Sequence, residues 1–559
     1  MRLALLAVLL LAPVAAAQPE SPEAVAREVL AGRTGDVPGA VVAVVLGGEI
    51  VYQEAFGLAD LAHGVPMTVD TRSNIGSTSK PFTAYAVGLL AERGALSLDD
   101  DVRDFVPELP DFGETVTLRH LLTHTSGYRD FLNLLLLAGG VDIQAGAPVS
   151  RDEVIRAVQN QPALQNTPGA EMMYNNTGFA LAALVVERVT GEPFGDWMEA
   201  NVFAPNGLTE TVVPRDARAV VPRSAEGYQR AESGWLRAPD SGAGAGIGAG
   251  GLYTTVGDLA RWMAVLQTGG DHPDVVRQMA TPNVLPSGTV TDYGLGLFVD
   301  TLGGVARRGH GGGDMGHTSA FMLFPELDGG VIVLSNTPDR VEAMAEEIAR
   351  AFFPDAWPAL AEAEVDFDDA LFDAYVGDYA LDVRPDFVLS VRRAAGGGYE
   401  TQATGQPAFA IKPLADTTFA PTAFEARLDF HRDPDGVVRA LTLTQGQPVR
   451  ATRVEAATPT AAVTERLDPA PYLGRYYSDE TETFFSVAEV DGALVLRHRR
   501  AGDDPLRRTD GDAFRSRMLR GIAFERDASG AVTAFVMDAG GRARDIRFER
   551  VPESRASSD

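Results

Sequence analysis

A repeat in the last third of the chain limits what that part can become. Tyr375-Val376-Gly377-Asp378-Tyr379 recurs as Tyr472-Leu473-Gly474-Arg475-Tyr476, 97 residues on. Phe430-His431-Arg432-Asp433 with Gly436 recurs as Phe524-Glu525-Arg526-Asp527 with Gly530 at a spacing of 94, and Arg453-Val454 recurs as Arg550-Val551 at 97. Three landmarks in one order indicate two related modules, residues 366–456 and 466–552, joined by an Ala/Thr-rich linker from Ala456 to Thr464. Short strands with frequent turns predict a small all-β, barrel-like module in each. The chain has no cysteine, which excludes disulfide staples, a lipid-modified cysteine and a thiol nucleophile. Apolar cores alone must hold it together.

Upstream the pattern differs. Ala40 to Leu46 and Ile50 to Phe56 are apolar runs separated by Gly47-Gly48, a hairpin signal. Ser319 to Phe324 and Val331 to Ser335, with Asp328-Gly329 near the turn, predict a second hairpin. Helical spacing dominates between them, most clearly at Phe82, Tyr85, Ala86, Leu89 and Leu90 with Gly94 as a stop. Strands at both ends with helices between predict one α+β domain over residues 22–355. In it the two ends meet in an antiparallel sheet flanked by helices, with a helical subdomain.

The chain opens with Met1-Arg2, an apolar run from Leu3 to Val14 and then Ala15-Ala16-Ala17. That is the pattern of a secretory signal peptide over residues 1–17, so the expected address is periplasmic or secreted. No later apolar run is long enough for a membrane span, and no membrane insertion is expected. A net charge of −29 over 559 residues argues against nucleic acid or anionic lipid as a partner. An acidic, solubilising surface explains it more simply than a cation-binding role.

Lysine is the scarce residue. Lys80 and Lys412 are the only two, so 46 of the 48 basic residues are arginine. Arginine stays protonated, whereas a buried lysine can shed its proton and act as a base. Lys80 ends Ser77-Thr78-Ser79-Lys80, the Ser-x-x-Lys spacing in which a lysine activates a serine nucleophile. Three positions apart at a helix start, the two side chains share a face, and the helix N-terminus suits an oxyanion. Bringing a lysine from about 10.4 to about 7 requires roughly 4–5 kcal/mol of differential solvation. The tetrapeptide alone is common by chance; its surroundings give it weight.

Ile75-Gly76-Ser77-Thr78-Ser79-Lys80-Pro81-Phe82-Thr83-Ala84 resembles the nucleophile segment of the serine β-lactamase and penicillin-binding protein superfamily. The likeness is greatest to its class C β-lactamase, esterase and D-aminopeptidase branch. Leu118-Arg119-His120-Leu121-Leu122-Thr123-His124-Thr125-Ser126-Gly127 is similar to that branch's loop before the second motif. Tyr174-Asn175-Asn176 matches its Tyr-x-Asn element, and His310-Gly311-Gly312 stands in the place of Lys-Thr-Gly. The resemblance covers about residues 25–350. It implies the β-lactamase-like fold and no metal or organic cofactor.

On this reading Ser77 is the nucleophile and Lys80 and Tyr174 share acid–base work. Asn176 ties Lys80 to a substrate carbonyl, and Lys80 beside Tyr174 would favour a phenolate. His310 stands on the strand where substrate lies, Gly312 lets the substrate backbone approach, and the Gly313 amide joins that of Ser77 as an oxyanion hole. A neutral histidine in place of lysine attracts a drug's carboxylate poorly, which favours D-amino-acid peptides, esters or lactones over β-lactams. The paired modules resemble those that follow the catalytic domain in D-aminopeptidase-like members, where they can narrow the cleft. The implied protein is an exported serine hydrolase of small-molecule or short-peptide substrates, and a homo-oligomer is compatible with it.

The rivals are a penicillin- or cell-wall-peptide-binding protein with little turnover, a β-lactamase, and a protein whose β modules mainly self-associate or bind glycans. Other motifs fit by letter only. Gly246 to Gly251 matches a dinucleotide fingerprint but lacks the preceding strand and the later acid, and reads better as a loop near the site. His120 and His124 have metal-like spacing without a third ligand, and Asn175-Asn176-Thr177 is a glycosylation signal on the proposed catalytic loop.

Overall fold

The computed structural model describes residues 21–552 apart from 140–148, 216–218, 239–245, 358–366, 382–383, 395–396, 405, 407, 423–425, 434, 446, 455–466, 499–501 and 517–520. The signal-peptide and linker readings, residues 1–17 and 456–464, lie outside the described residues.

Six antiparallel strands form the central sheet: β1 Ala40–Leu46, β2 Glu49–Phe56, β3 Phe298–Leu302, β4 Val305–Asp314, β5 His317–Phe324 and β6 Gly329–Ser335. Their order is β2-β1-β6-β5-β4-β3, so the first strand pairs with the last. Ala40 faces Ser335 and Leu46 faces Gly329. The chain's start thus closes on residues almost 300 positions later, as strands at both ends predict.

β1 is apolar at every position because both faces of the sheet are covered. Val41, Ala43 and Val45 join the core formed with helices α1 Lys80–Glu92 and α2 Asn176–Thr190. Val42 and Val44 face the other way, into a core with Ala26, Leu30 and helix α3 Val341–Phe352. Burying each such valine or leucine contributes about 1.5–3 kcal/mol, which suffices without disulfides.

The first module is a closed barrel of eight antiparallel strands between Gly377 and Val454. The second is a nine-stranded sheet whose edge strands, Gly502–Pro505 and Arg507–Asp510, are separated only by Leu506, so it curls to near closure. The repeated residues do the same work twice. Tyr379 donates its hydroxyl to the Tyr375 carbonyl at 2.8 Å, and Tyr476 to that of Tyr472 at 2.7 Å. Arg453 donates to the Val438 carbonyl at 3.0 Å, and Arg550 to that of Val532 at 3.1 Å.

The second module is welded to the α+β domain. Phe131, Leu134 and Leu137, on helix Phe131–Gly139, share one apolar cluster with Tyr476, Phe485 and Phe535. Arg129 and Glu480 pair at 3.3 Å with both side chains buried. Burial lifts the Glu480 carboxyl to about 7, which Arg129 offsets only in part. Leu134→Ala in this joint is expected to destabilise the protein by about 2–4 kcal/mol, read from the urea midpoint with the m-value checked.

Candidate active site

Ser77 lies in the one-turn helix Gly76–Ser79 that runs directly into α1. Its hydroxyl lies at hydrogen-bond distance, 2.9 Å, from Lys80 Nζ. The same nitrogen reaches Asn176 Oδ1 at 2.9 Å and the Ala249 carbonyl at 2.8 Å. Lys80 is fully buried. Burial drives its amine well below the ordinary lysine range and Arg542 adds to this, while Asp130 opposes without reversing the sign. A neutral amine with its lone pair available beside a serine hydroxyl can serve as a base.

Asn176 opens α2, and the Asp130 carboxylate caps that end by accepting from the Asn176 backbone at 2.6 Å and its Nδ2 at 2.9 Å. Asn176 therefore links Lys80 to Asp130, and its amide serves this internal chain rather than a substrate carbonyl alone. Tyr174 hydrogen-bonds Ser77, and its ring lies 4.9 Å from Lys80 Nζ. Burial pushes its phenol upward, and this outweighs the hydrogen bond from Ser77 and the charge of Arg542. The resting state is the phenol, not the phenolate that a charged lysine beside it would favour, because burial dominates. A phenol between nucleophile and leaving group can still pass a proton.

His310 is buried and accounts for both its nitrogens. Nδ1 faces the Gly311 carbonyl at 2.5 Å, and Nε2 meets the Tyr293 hydroxyl at 3.1 Å. Burial, with Lys80 nearby, takes the ring down to about 3, so it is neutral. Beyond Gly309, where pairing with β3 ends, β4 lies open on that side.

The glycines divide their roles differently from expectation. A Cβ on Gly312 would strike the Ile75 carbonyl and Ser319 Oγ, and one on Gly311 would strike the Glu342 carboxylate. Gly312 is thus required by the protein's own packing, not by an approaching substrate backbone. Gly313 has open space where a Cβ would go, and it packs against Gly76, whose φ is +50°. This places the Gly313 and Ser77 segments side by side, and Gly313 is the glycine that leaves room for a ligand.

Ser77, Tyr174, His310 and Gly311 to Gly313 line one pocket of about 700 Å³, with Glu342 and Arg542 on its wall. The loop from Gly246 to Gly251 holds Lys80 through Ala249 and accepts from Thr83 through the Gly248 carbonyl at 2.8 Å. His120 and His124 each use Nδ1 to accept from a backbone amide, that of Thr117 and that of Asn175. Asn175 is buried and caps α2 through Gly178, which leaves its glycosylation signal closed.

Comparison with known families decides what this arrangement belongs to. The Beta-lactamase family model matches residues 23–353. The chain belongs to the beta-lactamase family. Among the family's curated members, penicillin-binding protein 4* of Bacillus subtilis is 27% identical over 434 residues, covering 73% of this chain and 93% of that protein. The D-aminopeptidase of Brucella anthropi is 31% identical over 277 residues, 49% of this chain and 51% of its own length, so the chain spans about half of that relative. The D-amino acid amidase of Ochrobactrum anthropi SV3 superposes with a TM-score of 0.50 at 25% identity, over 59% of this chain and 99% of that one. The octameric penicillin-binding protein homologue of Pyrococcus abyssi shares the fold, with a TM-score of 0.54 at 23% identity over 77% of this chain and 99% of that one. As a member of this family the chain is a hydrolase of the serine type.

Motif reading missed Asp130, Tyr293, Glu342 and Arg542. The first three carry no spacing signal, and Arg542 lies more than 180 residues beyond the family match. Two outcomes test the site. Gly312→Ala should cost about 1–3 kcal/mol of stability, whereas Gly313→Ala should leave the melting temperature nearly unchanged and lower activity. Because the Lys80 amine is depressed, it is neutral above its lowered value and gains a proton only as pH falls through it. The rate of Ser77 acylation should therefore decline on the acid side, with its limb well below the ordinary lysine value. An acid limb near the ordinary lysine value of about 10.4 would contradict this.

Proposed function

We propose that this protein is an exported serine hydrolase that forms an acyl-enzyme on Ser77 and cleaves small amides or peptides of D-amino acids. The observation that carries the proposal is the 2.9 Å contact between Lys80 Nζ and Ser77 Oγ, with the amine fully buried. Lys80 takes the hydroxyl proton as Ser77 attacks the carbonyl, and the amides of Ser77 and Gly313 receive the oxyanion. Tyr174 passes the proton to the departing amine, and Lys80 or Tyr174 then activates water to release the acyl group. Asn176 positions Lys80, and His310 with Gly312 shapes the strand along which the acyl group lies.

The amide reading rests on the similar relatives, and His310 does not by itself recruit a β-lactam. The ring is neutral and both nitrogens are committed, so it offers no charge to a drug's carboxylate. The D-aminopeptidase and D-amino acid amidase similarities support the substrate class. Esters and lactones fit the same groups. The buried amine beside Ser77 supports turnover over binding alone.

Intact mass after exposure to a fluorophosphonate and to p-nitrophenyl acetate tests the proposal. One adduct should form on the wild type and none on Ser77→Ala, and Lys80→Arg should slow labelling about 10⁴-fold or more. Aminoacyl amides of the D series should be hydrolysed faster than their L counterparts. Equal labelling of Ser77→Ala would sink the acyl-enzyme assignment.

A further inference from the structure

The two β modules differ at one tip, and that tip reaches the pocket. In the first module Val438–Gln445 pairs with Gln447–Val454, with Gln445 facing Gln447. In the second, Val532–Ala539 and Ala543–Arg550 turn through Gly540, Gly541 and Arg542. Ala440 faces Thr452 in one and Ala534 faces Glu549 in the other. Equivalent residues are therefore 94 apart on the first strand and 97 apart on the second, so the second hairpin carries three extra residues at its end.

The catalytic domain holds this extension by its backbone. The Arg542 carbonyl accepts from the Asp130 amide at 3.1 Å and from Gln165 Nε2 at 3.3 Å, and Asn133 Nδ2 donates to the Ala539 carbonyl at 2.8 Å. The side chain is left to face the pocket, where its guanidinium lies 4.6 Å from the centre of the Tyr174 ring. Among the described residues no ion pair involves Arg542, while Arg544 two positions on pairs with Glu171 at 2.8 Å. The rest of the lining includes the Glu342 carboxylate, which packs on Gly311, the neutral His310 and the exposed Arg340.

We infer that Arg542, carried in by the three-residue extension, is a substrate-binding residue that selects substrates bearing a carboxylate. The inference rests on the acyl-enzyme reading of Ser77. A half-buried guanidinium beside the nucleophile, without a carboxylate of its own, is matched by a bidentate carboxylate from the substrate. The carboxylate can belong to the acyl portion or to the leaving portion.

The test uses matched substrates and the full chain. N-succinyl-alanine p-nitroanilide against N-acetyl-alanine p-nitroanilide places the carboxylate in the acyl part. N-acetyl-alanyl-alanine against its C-terminal amide places it in the leaving part. Both are run in whichever of the D and L series is turned over. The wild type should favour the anionic member of at least one pair, and that ratio of kcat/KM should fall about 10- to 100-fold in Arg542→Gln. Arg542→Lys should retain part of the preference and Arg542→Glu should reverse it, with thermal melts confirming folding. Arg340→Gln, at the exposed cation on the same wall, should alter the ratio less. If Arg542→Gln slows both members of each pair equally, Arg542 acts only through Lys80 and the inference is overturned. It is likewise overturned if Arg340 carries the preference. If the wild type forms no adduct with a fluorophosphonate, it is the acyl-enzyme reading that has failed.

Discussion

The site depends on keeping one amine out of water. Lys80 gives up solvation entirely and receives in return three oxygen partners: a serine hydroxyl, an asparagine amide oxygen and a backbone carbonyl. None of the three is a carboxylate. Had Asp130 touched Lys80 directly, the pair would have stayed charged and the base would have been lost. Placing Asn176 between them keeps the acid near enough to order the chain of hydrogen bonds while the amine remains neutral. Tyr174 and His310 follow the same rule, since burial disfavours the charged form of each.

That dry centre exists because the sheet is covered on both faces. β1 and β6 bring residues from opposite ends of the domain into register, and β4 and β5 follow at fixed spacing. The helix bearing Ser77 and Lys80 packs on this sheet so closely that only glycine fits at position 312. The close approach of Gly313 to Gly76 and the packing at Gly312 are thus one set of contacts.

Much of this was legible in the sequence. The strands from Ala40 to Leu46 and from Val331 to Ser335, the helix after Lys80 and the two related modules follow from apolar runs, periodicity and repetition. Ser77, Lys80, Tyr174 and Asn176 came from motifs whose residue types the chemistry demands. Other parts were closed to such reading. The role of Gly312 depends on what a β carbon would strike, and Asp130 is one of 77 acidic residues with no mark on it. The resting protonation of Tyr174 depends on burial, which no local pattern encodes. The change of spacing from 94 to 97 was visible, yet only strand register places the extra residues at a hairpin tip.

The shared apolar cluster at helix Phe131–Gly139 has a consequence for how such an enzyme can change. Hairpin ends absorb insertions at little thermodynamic expense, because loop closure grows only slowly with length. Here one such end forms a wall of the catalytic cleft, held in place by a joint as firm as a domain interior. Selectivity can therefore drift by lengthening, shortening or recharging a surface turn, while the groups that break the bond stay under the unaltered constraints of a separate core.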